Sequence, residues 1–226
     1  MSKIHPTIDP QGLIEYSVVF TDRSLNHMSH SFQSVMRGLH AGLNSVYHAA
    51  SCVLIPGGGT YAMEAVARQF AANHSVLVIR NGWFSYRWTQ IFDQGVRPSH
   101  AEVACALPDS PAPDQQFAPV PVEQVCQHIR QQRPALVVAP HVETSAGLLL
   151  TDSYIQAIAK AAHEVDALLV LDCVAAGALW INMDALGVDV LITAPQKGWS
   201  STPCAGIVML SDRATARLAE TTSDSF

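Results

Sequence analysis

The 226 residues predict an α/β fold on a mostly parallel seven-stranded sheet with helices on both faces. Three observations carry this expectation. Short apolar, β-branched runs recur from residue 51 onward, at 51–55, 76–80, 100–105, 135–139, 168–172, 188–192 and 205–210. Helix-like stretches at 60–72, 84–94, 121–132 and 152–164 separate most of them, and strand, helix, strand at this spacing makes neighbouring strands parallel and covers both sides. The composition agrees: 49% hydrophobic and only 14% charged residues suit a buried sheet, not a solvated tail.

Residues 1–20 hold the breakers Pro6, Pro10 and Gly12 and read as an arm. From Ser29 to about Tyr47, Phe32, Val35, Met36, Leu39 and Leu43 recur at helical spacing, so an amphipathic helix follows. Residues 1–48 are therefore expected to be an arm and a helix, and 49–226 the main domain. The stretch 107–121 carries Pro108, Pro111, Pro113, Pro119 and Pro121 and reads as a surface connection. The N-terminus has no apolar signal region, and no run approaches the about 18 apolar residues of a spanning helix, so a cytoplasmic chain with no membrane partner is expected. Thirteen Lys and Arg against 19 Asp and Glu, with no basic run, argue against nucleic acid. Five well-separated cysteines fit buried free thiols.

In a parallel sheet, ligands bind where the strands end. After the first strand comes Pro56-Gly57-Gly58-Gly59-Thr60, a glycine-rich turn into a helix whose N–H groups can hold an anion. A plain tight turn explains the glycines too. Gly57, Gly59 and Ala62 also fit a loose dinucleotide pattern, for which Arg80 is the only supporting cation. Asn81-Gly82-Trp83-Phe84-Ser85-Tyr86-Arg87 gathers aromatics that can stack on a ring or pack a helix face. The fourth strand leads to the polar loop His141-Val142-Glu143-Thr144-Ser145-Ala146-Gly147. Asp172 ends the fifth strand, where a buried carboxylate needs a cation or several donors. Lys197 follows the sixth strand, between two core strands where an ammonium is costly to desolvate. No metal is expected: His27-x-x-His30 has no partners at ligand spacing, and His141-x-Glu143 lacks the C-x-x-C of zinc deaminases.

One ligand unites these features: pyridoxal 5'-phosphate needs a phosphate cradle, a ring stack, a carboxylate for its ring nitrogen and a lysine. The ordered set Gly57-Gly58-Gly59-Thr60 with Met63-Glu64-Ala65, Asn81-Gly82 with Arg87, His141-x-Glu143-Thr144-Ser145-x-Gly147, Asp172-x-Val174 and Gln196-Lys197 resembles the class V aminotransferases. The likeness is to the alanine-glyoxylate, serine-pyruvate and 2-aminoethylphosphonate transaminase branch, over roughly residues 20–215. It implies the large domain of a fold type I pyridoxal-phosphate-dependent transferase. In it Gly58, Gly59 and Thr60 hold the phosphate with Gln196, Phe84 and Val174 flank the ring, and Thr144 bonds near the ring hydroxyl. Asp172 pairs with the ring nitrogen, and Lys197 forms the Schiff base and moves the proton. Serine often stands where this chain has Gly58, and Trp or Tyr where it has Phe84.

The resemblance further implies a homodimer that transfers an amino group from a small amino acid to a small 2-oxo acid such as glyoxylate or pyruvate. The family's small C-terminal domain is expected to be absent from this chain, so a cofactor-binding but catalytically incomplete fragment is one alternative. A pyridoxal-phosphate-dependent lyase or desulfurase relative is another, and a reductase using a phosphorylated dinucleotide a third.

Overall fold

The computed structural model describes residues 26–108 and 115–223. The expected arm at 1–20 lies outside the described residues. Seven strands form the main sheet: β1 Ser51–Pro56, β2 Ser75–Arg80, β3 His100–Cys105, β4 Leu136–Pro140, β5 Leu168–Asp172, β6 Val190–Thr193 and β7 Ala205–Leu210. Their order is β1-β7-β6-β5-β4-β2-β3. Only β7 runs against its neighbours β1 and β6, while the pairs β6·β5, β5·β4, β4·β2 and β2·β3 are parallel.

The helices are α1 His30–Tyr47, α2 Gly59–Phe70, α3 Trp83–Asp93, α4 Val122–Gln132, α5 Asp152–Glu164, α6 Met183–Leu186 and α7 Asp212–Leu218. Their starts follow from side chains that accept otherwise unpaired N–H groups: Ser29, Thr151, Asn182 and Ser211 cap α1, α5, α6 and α7. Gly187 stops α6 in the left-handed conformation, at φ 71°.

Alternation along the strands divides the core. Leu77, Ile79, Val137, Leu169, Leu171 and Leu191 pack with Leu43, Val125, Ile129 and Ile155, from α1, α4 and α5. Val76, Val78, Leu136, Val138, Val170 and Ile192 pack on the other face with Ala62, Phe70 and Trp88, from α2 and α3. Both faces of β5 are thus covered, and each of Leu168, Val170 and Leu171 contributes about 1.5–3 kcal/mol by burial. Val170→Asp would leave a charge in that core.

Three differences from the sequence expectation have local causes. The stretch 107–121 is tied at its ends by an antiparallel ladder of Leu107–Pro108 with Phe117–Ala118. Val142–Glu143 pairs with Leu148–Leu149, so the polar loop after β4 is a small hairpin. All five cysteines are free, but only Cys126 and Cys173 are buried: Cys52 and Cys105 are half-buried because they lie on the edge strands β1 and β3, and Cys204, just before β7, is exposed.

Candidate active site

The neighbouring parallel strands β4, β5 and β6 end on one side of the sheet, and their loops meet the starts of α2 and α3 there. Between them lies a cavity of about 460 Å³. Gly59, Thr60 and Met63 of α2 line it, with Phe84 and Arg87 of α3, Pro140, Val142 and Thr144 after β4, Asp172 and Val174 at the end of β5, and Gln196 and Lys197 after β6. Larger clefts of about 640 and 700 Å³ lie at the opposite strand ends, around His163 and Gly187. Size does not single out the site; the joining of an amine, a carboxylate and a helix start does.

Every residue expected from the sequence lines this cavity except Gly58. Its carbonyl instead accepts the N–H groups of Tyr61 and Ala62 and so begins α2. Gly59 must lack a side chain, because a Cβ there would lie 2.6 Å from a methyl of Val174. The start of α2 therefore sits directly on the turn after Asp172.

Asp172 is buried, and its Oδ1 accepts one protein hydrogen bond, from the Val174 N–H at 3.0 Å. Among the described residues the expected cation does not pair with it. Burial pushes its carboxyl up to about 6; the Val174 bond and the more distant Arg87 charge pull it down, while the Glu143 charge adds to the rise. Lys197 is exposed at the cavity wall and not desolvated between two core strands, because residues 194–199 leave β6 as a run of turns. Gln196 also lines the cavity, and its Oε1 is buried without a partner among the described residues.

Arg87 received no role in the sequence reading. Its Nη1 donates to Thr60 Oγ1 at 2.6 Å, which brings a guanidinium beside the start of α2. The available signal was spacing: Phe84 and Arg87 are three apart and share one face of α3. The other aromatics of that segment point elsewhere. Arg80 stacks 5.2 Å from the Tyr86 ring centroid and donates to Cys105 Sγ, and it does not line the cavity, so the dinucleotide reading loses its cation.

Glu143, named in the polar loop after the fourth strand, likewise received no role. It is fully buried, and its two oxygens accept from the N–H groups of Phe84 and Ser85 and from the hydroxyls of Ser85 and Ser145. Burial pushes its carboxyl up, but these four bonds together outweigh burial and hold it below the usual carboxylate range. Burial pushes His141 down. Among the described residues no group of three His, Cys, Asp or Glu could hold a metal ion, and no helix is long and apolar enough to cross a membrane.

Comparison with known proteins gives three kinds of match. The family pattern described as Aminotransferase class-V matches residues 13–224. The L-aspartate–glyoxylate aminotransferase of Paracoccus denitrificans is 30% identical over 213 residues, 89% of this chain and 51% of that protein. The soluble hydrogenase small subunit of a Synechococcus species is 29% identical over 194 residues, 84% of this chain and 48% of that protein. Among solved structures, the Thermus thermophilus aspartate aminotransferase of subgroup IV superposes with a TM-score of 0.73 at 25% identity, covering 90% of this chain and 54% of that one. The chain thus spans about half the length of the relatives it matches.

Proposed function

Because this chain belongs to the class-V aminotransferase family, we propose that residues 49–226 bind pyridoxal 5'-phosphate and serve amino transfer from a small amino acid to a small 2-oxo acid. Glyoxylate or pyruvate as acceptor rests on the relatives, whose names include both. One observation carries the reading: the buried, under-satisfied carboxylate of Asp172 shares a cavity with the amine of Lys197.

The residues fit the cofactor on three independent counts. Asp172 has room on the cavity side for a charged N–H donor, and a protonated ring nitrogen is such a donor. Gln196 lines the same cavity, and its side-chain amide carries N–H donors that suit an anion. The start of α2, with Thr60 and Arg87, presents donors and positive charge to an anion.

When bound, the cofactor supplies a ring that stabilises negative charge at the amino acid's Cα. The chain does the rest. Asp172 holds a proton at the ring nitrogen. Lys197 Nζ, the amine of the cavity wall, would hold the cofactor covalently until the substrate's amino group displaces it, and as the freed amine would then take the Cα proton. Phe84 and Val174 confine the ring, Thr144 bonds near its hydroxyl, and Gly59, Thr60 and Gln196 hold the phosphate. Gly58 helps only through the turn that starts α2. The exposed apolar side chains of Val35, Leu39, Val46 and Val53, on α1 and the edge strand β1, support a homodimer.

The test is borohydride reduction of the chain mixed with pyridoxal 5'-phosphate, then peptide mass mapping. The expected label is on Lys197. A label on Lys160 instead, or none, overturns the assignment.

A further inference from the structure

On the pyridoxal phosphate reading above, we propose that Glu143 is a positioning residue: its carboxylate, with Ser85 and Ser145, fixes the first turn of α3 and so sets Phe84 and Arg87 against the bound cofactor.

The argument starts from the donors that every helix leaves unpaired at its start. The residue before α3 is Gly82, which has no side chain to cap with. Yet five consecutive N–H groups all find partners in one small cluster. Those of Asn81 and Gly82 donate to Ser85 Oγ at 2.9 and 3.1 Å, and that of Trp83 donates to Ser145 Oγ at 2.8 Å. Those of Phe84 and Ser85 donate to Glu143 Oε1 and Oε2 at 3.1 and 2.9 Å. Ser145 and Ser85 in turn donate their own protons to Glu143, at 2.6 and 2.7 Å. One ionised carboxylate therefore orients both hydroxyls so that their lone pairs face the helix start.

The fit is close. A Cβ on Gly82 would lie 2.4 Å from Ser145 Oγ and 2.7 Å from Glu143 Cγ. Glu143 itself does not line the cavity, but Phe84 and Arg87, held by this turn, do. The negative charge at a helix start is favourable as well as well bonded. Glutamine is nearly the same size, but its amide nitrogen would face the donors of Phe84 or Ser85, so Glu143→Gln breaks the cluster without emptying the space.

The test separates this role from the cofactor reading. In the unliganded chain, Glu143→Gln should speed hydrogen exchange of the amides of residues 82–86 about tenfold or more while β4 and β5 keep their protection. Ser145→Ala, a milder lesion that guards against a misfolded Glu143→Gln, should do the same to a smaller extent. Titrated with pyridoxal 5'-phosphate and followed by visible absorbance, Glu143→Gln should weaken binding about tenfold. That loss should shrink at least threefold in a Phe84→Ala background, because much of the effect runs through Phe84. Unchanged exchange at 82–86, or strictly additive losses, overturns the proposal. A wild-type chain with no affinity for pyridoxal 5'-phosphate overturns the cofactor reading, and with it the clause about the cofactor, while the exchange data still decide whether Glu143 fixes the turn.

Discussion

Two buried aspartates, at opposite ends of the adjacent strands β5 and β6, have opposite surroundings. Asp189, just before β6, accepts from His163 Nε2, the Leu169 N–H, Ser211 Oγ and Arg213 Nη1, all within 3.2 Å. Asp172, at the end of β5, has the Val174 N–H alone among the described residues. Both are carboxylates in one core, so the difference lies in what surrounds them. A saturated carboxylate pins the α5, β5 and α7 ends together, whereas an unsaturated one holds affinity in reserve for a ligand. On the proposed reading, one end of this sheet serves stability and the other binding.

The sharpest way to break that comparison is to remove each charge in turn. Asp189→Ala strands the buried Leu169 N–H and also removes the His163, Ser211 and Arg213 bonds, although the Arg213 guanidinium is about one-third exposed and keeps Asp166. The summed loss should cost about 3–5 kcal/mol, read as a fall in the urea midpoint. A cost under about 1 kcal/mol would mean that the network is ornamental.

Asp172→Asn should act in the opposite direction on the unliganded chain. Between the ordinary value of 3.8 and about 6, the folded chain keeps a proton that the unfolded chain has lost. Stability therefore falls as pH rises through that window, by on the order of 3 kcal/mol, and the deficit persists at pH 7. Asparagine carries no charge and can still accept the Val174 bond, so the variant should be more stable than wild type at pH 7 and should show a flatter pH dependence. In the same variant, loss of a charge-assisted bond worth about 1.5–3 kcal/mol should slow any half-reaction roughly ten- to a hundredfold. Urea titrations at pH 4 and pH 7 check the first claim, and stopped-flow absorbance in an active preparation checks the second. Equal stability of the two chains at both pH values would remove Asp172 from the comparison.

A third substitution asks whether the binding end is loose in shape as well as in charge. Gly198 follows Lys197, and a Cβ there would lie 2.0 Å from the Gly177 carbonyl oxygen and 3.1 Å from Trp180. Because the nearest obstacle is backbone, relief needs the whole lysine turn to move. Gly198→Ala should cost about 1–3 kcal/mol and weaken cofactor binding. If thermal unfolding and affinity are both unchanged, the lysine turn is free to move. The expected loss makes the slack of this end electrostatic and not steric.

The two ends were not equally legible in the sequence. β-branched runs located the seven strands to within a residue or two, and strand ends then pointed to Asp172 and Lys197. The partners of Asp189 could not be read, since His163, Leu169, Ser211 and Arg213 lie 20 or more residues away and meet only through strand register. Glu143 was hidden for the same reason, its partners Phe84 and Ser85 being 59 and 58 residues back and two of its four donors being backbone N–H groups common to any sequence. Spacing also misjudged Lys197: it located the loop but not its turns, and those turns leave the amine exposed.

The smallest expected effect belongs to His163, and it tests whether the saturated end works as separate bonds or as a unit. His163 Nε2 lies 2.9 Å from Asp189 Oδ2, with the imidazole about one-third exposed on the last turn of α5. Removing it by His163→Ala leaves Asp189 the Leu169 N–H, the Ser211 hydroxyl and the Arg213 guanidinium, and water can reach the vacated edge. One imidazole–carboxylate bond is then lost without stranding a buried group, so the cost should be about 0.5–1.5 kcal/mol. The comparison with Asp189→Ala decides the matter, because independent bonds predict a loss several times smaller. A loss as large as that of Asp189→Ala would mean that the donors depend on one another, so that the imidazole orients Asp189 for Arg213 and Ser211. Measuring the double variant separates the cases: with Asp189 already replaced by alanine, removing His163 should cost almost nothing if Asp189 is its only partner of consequence.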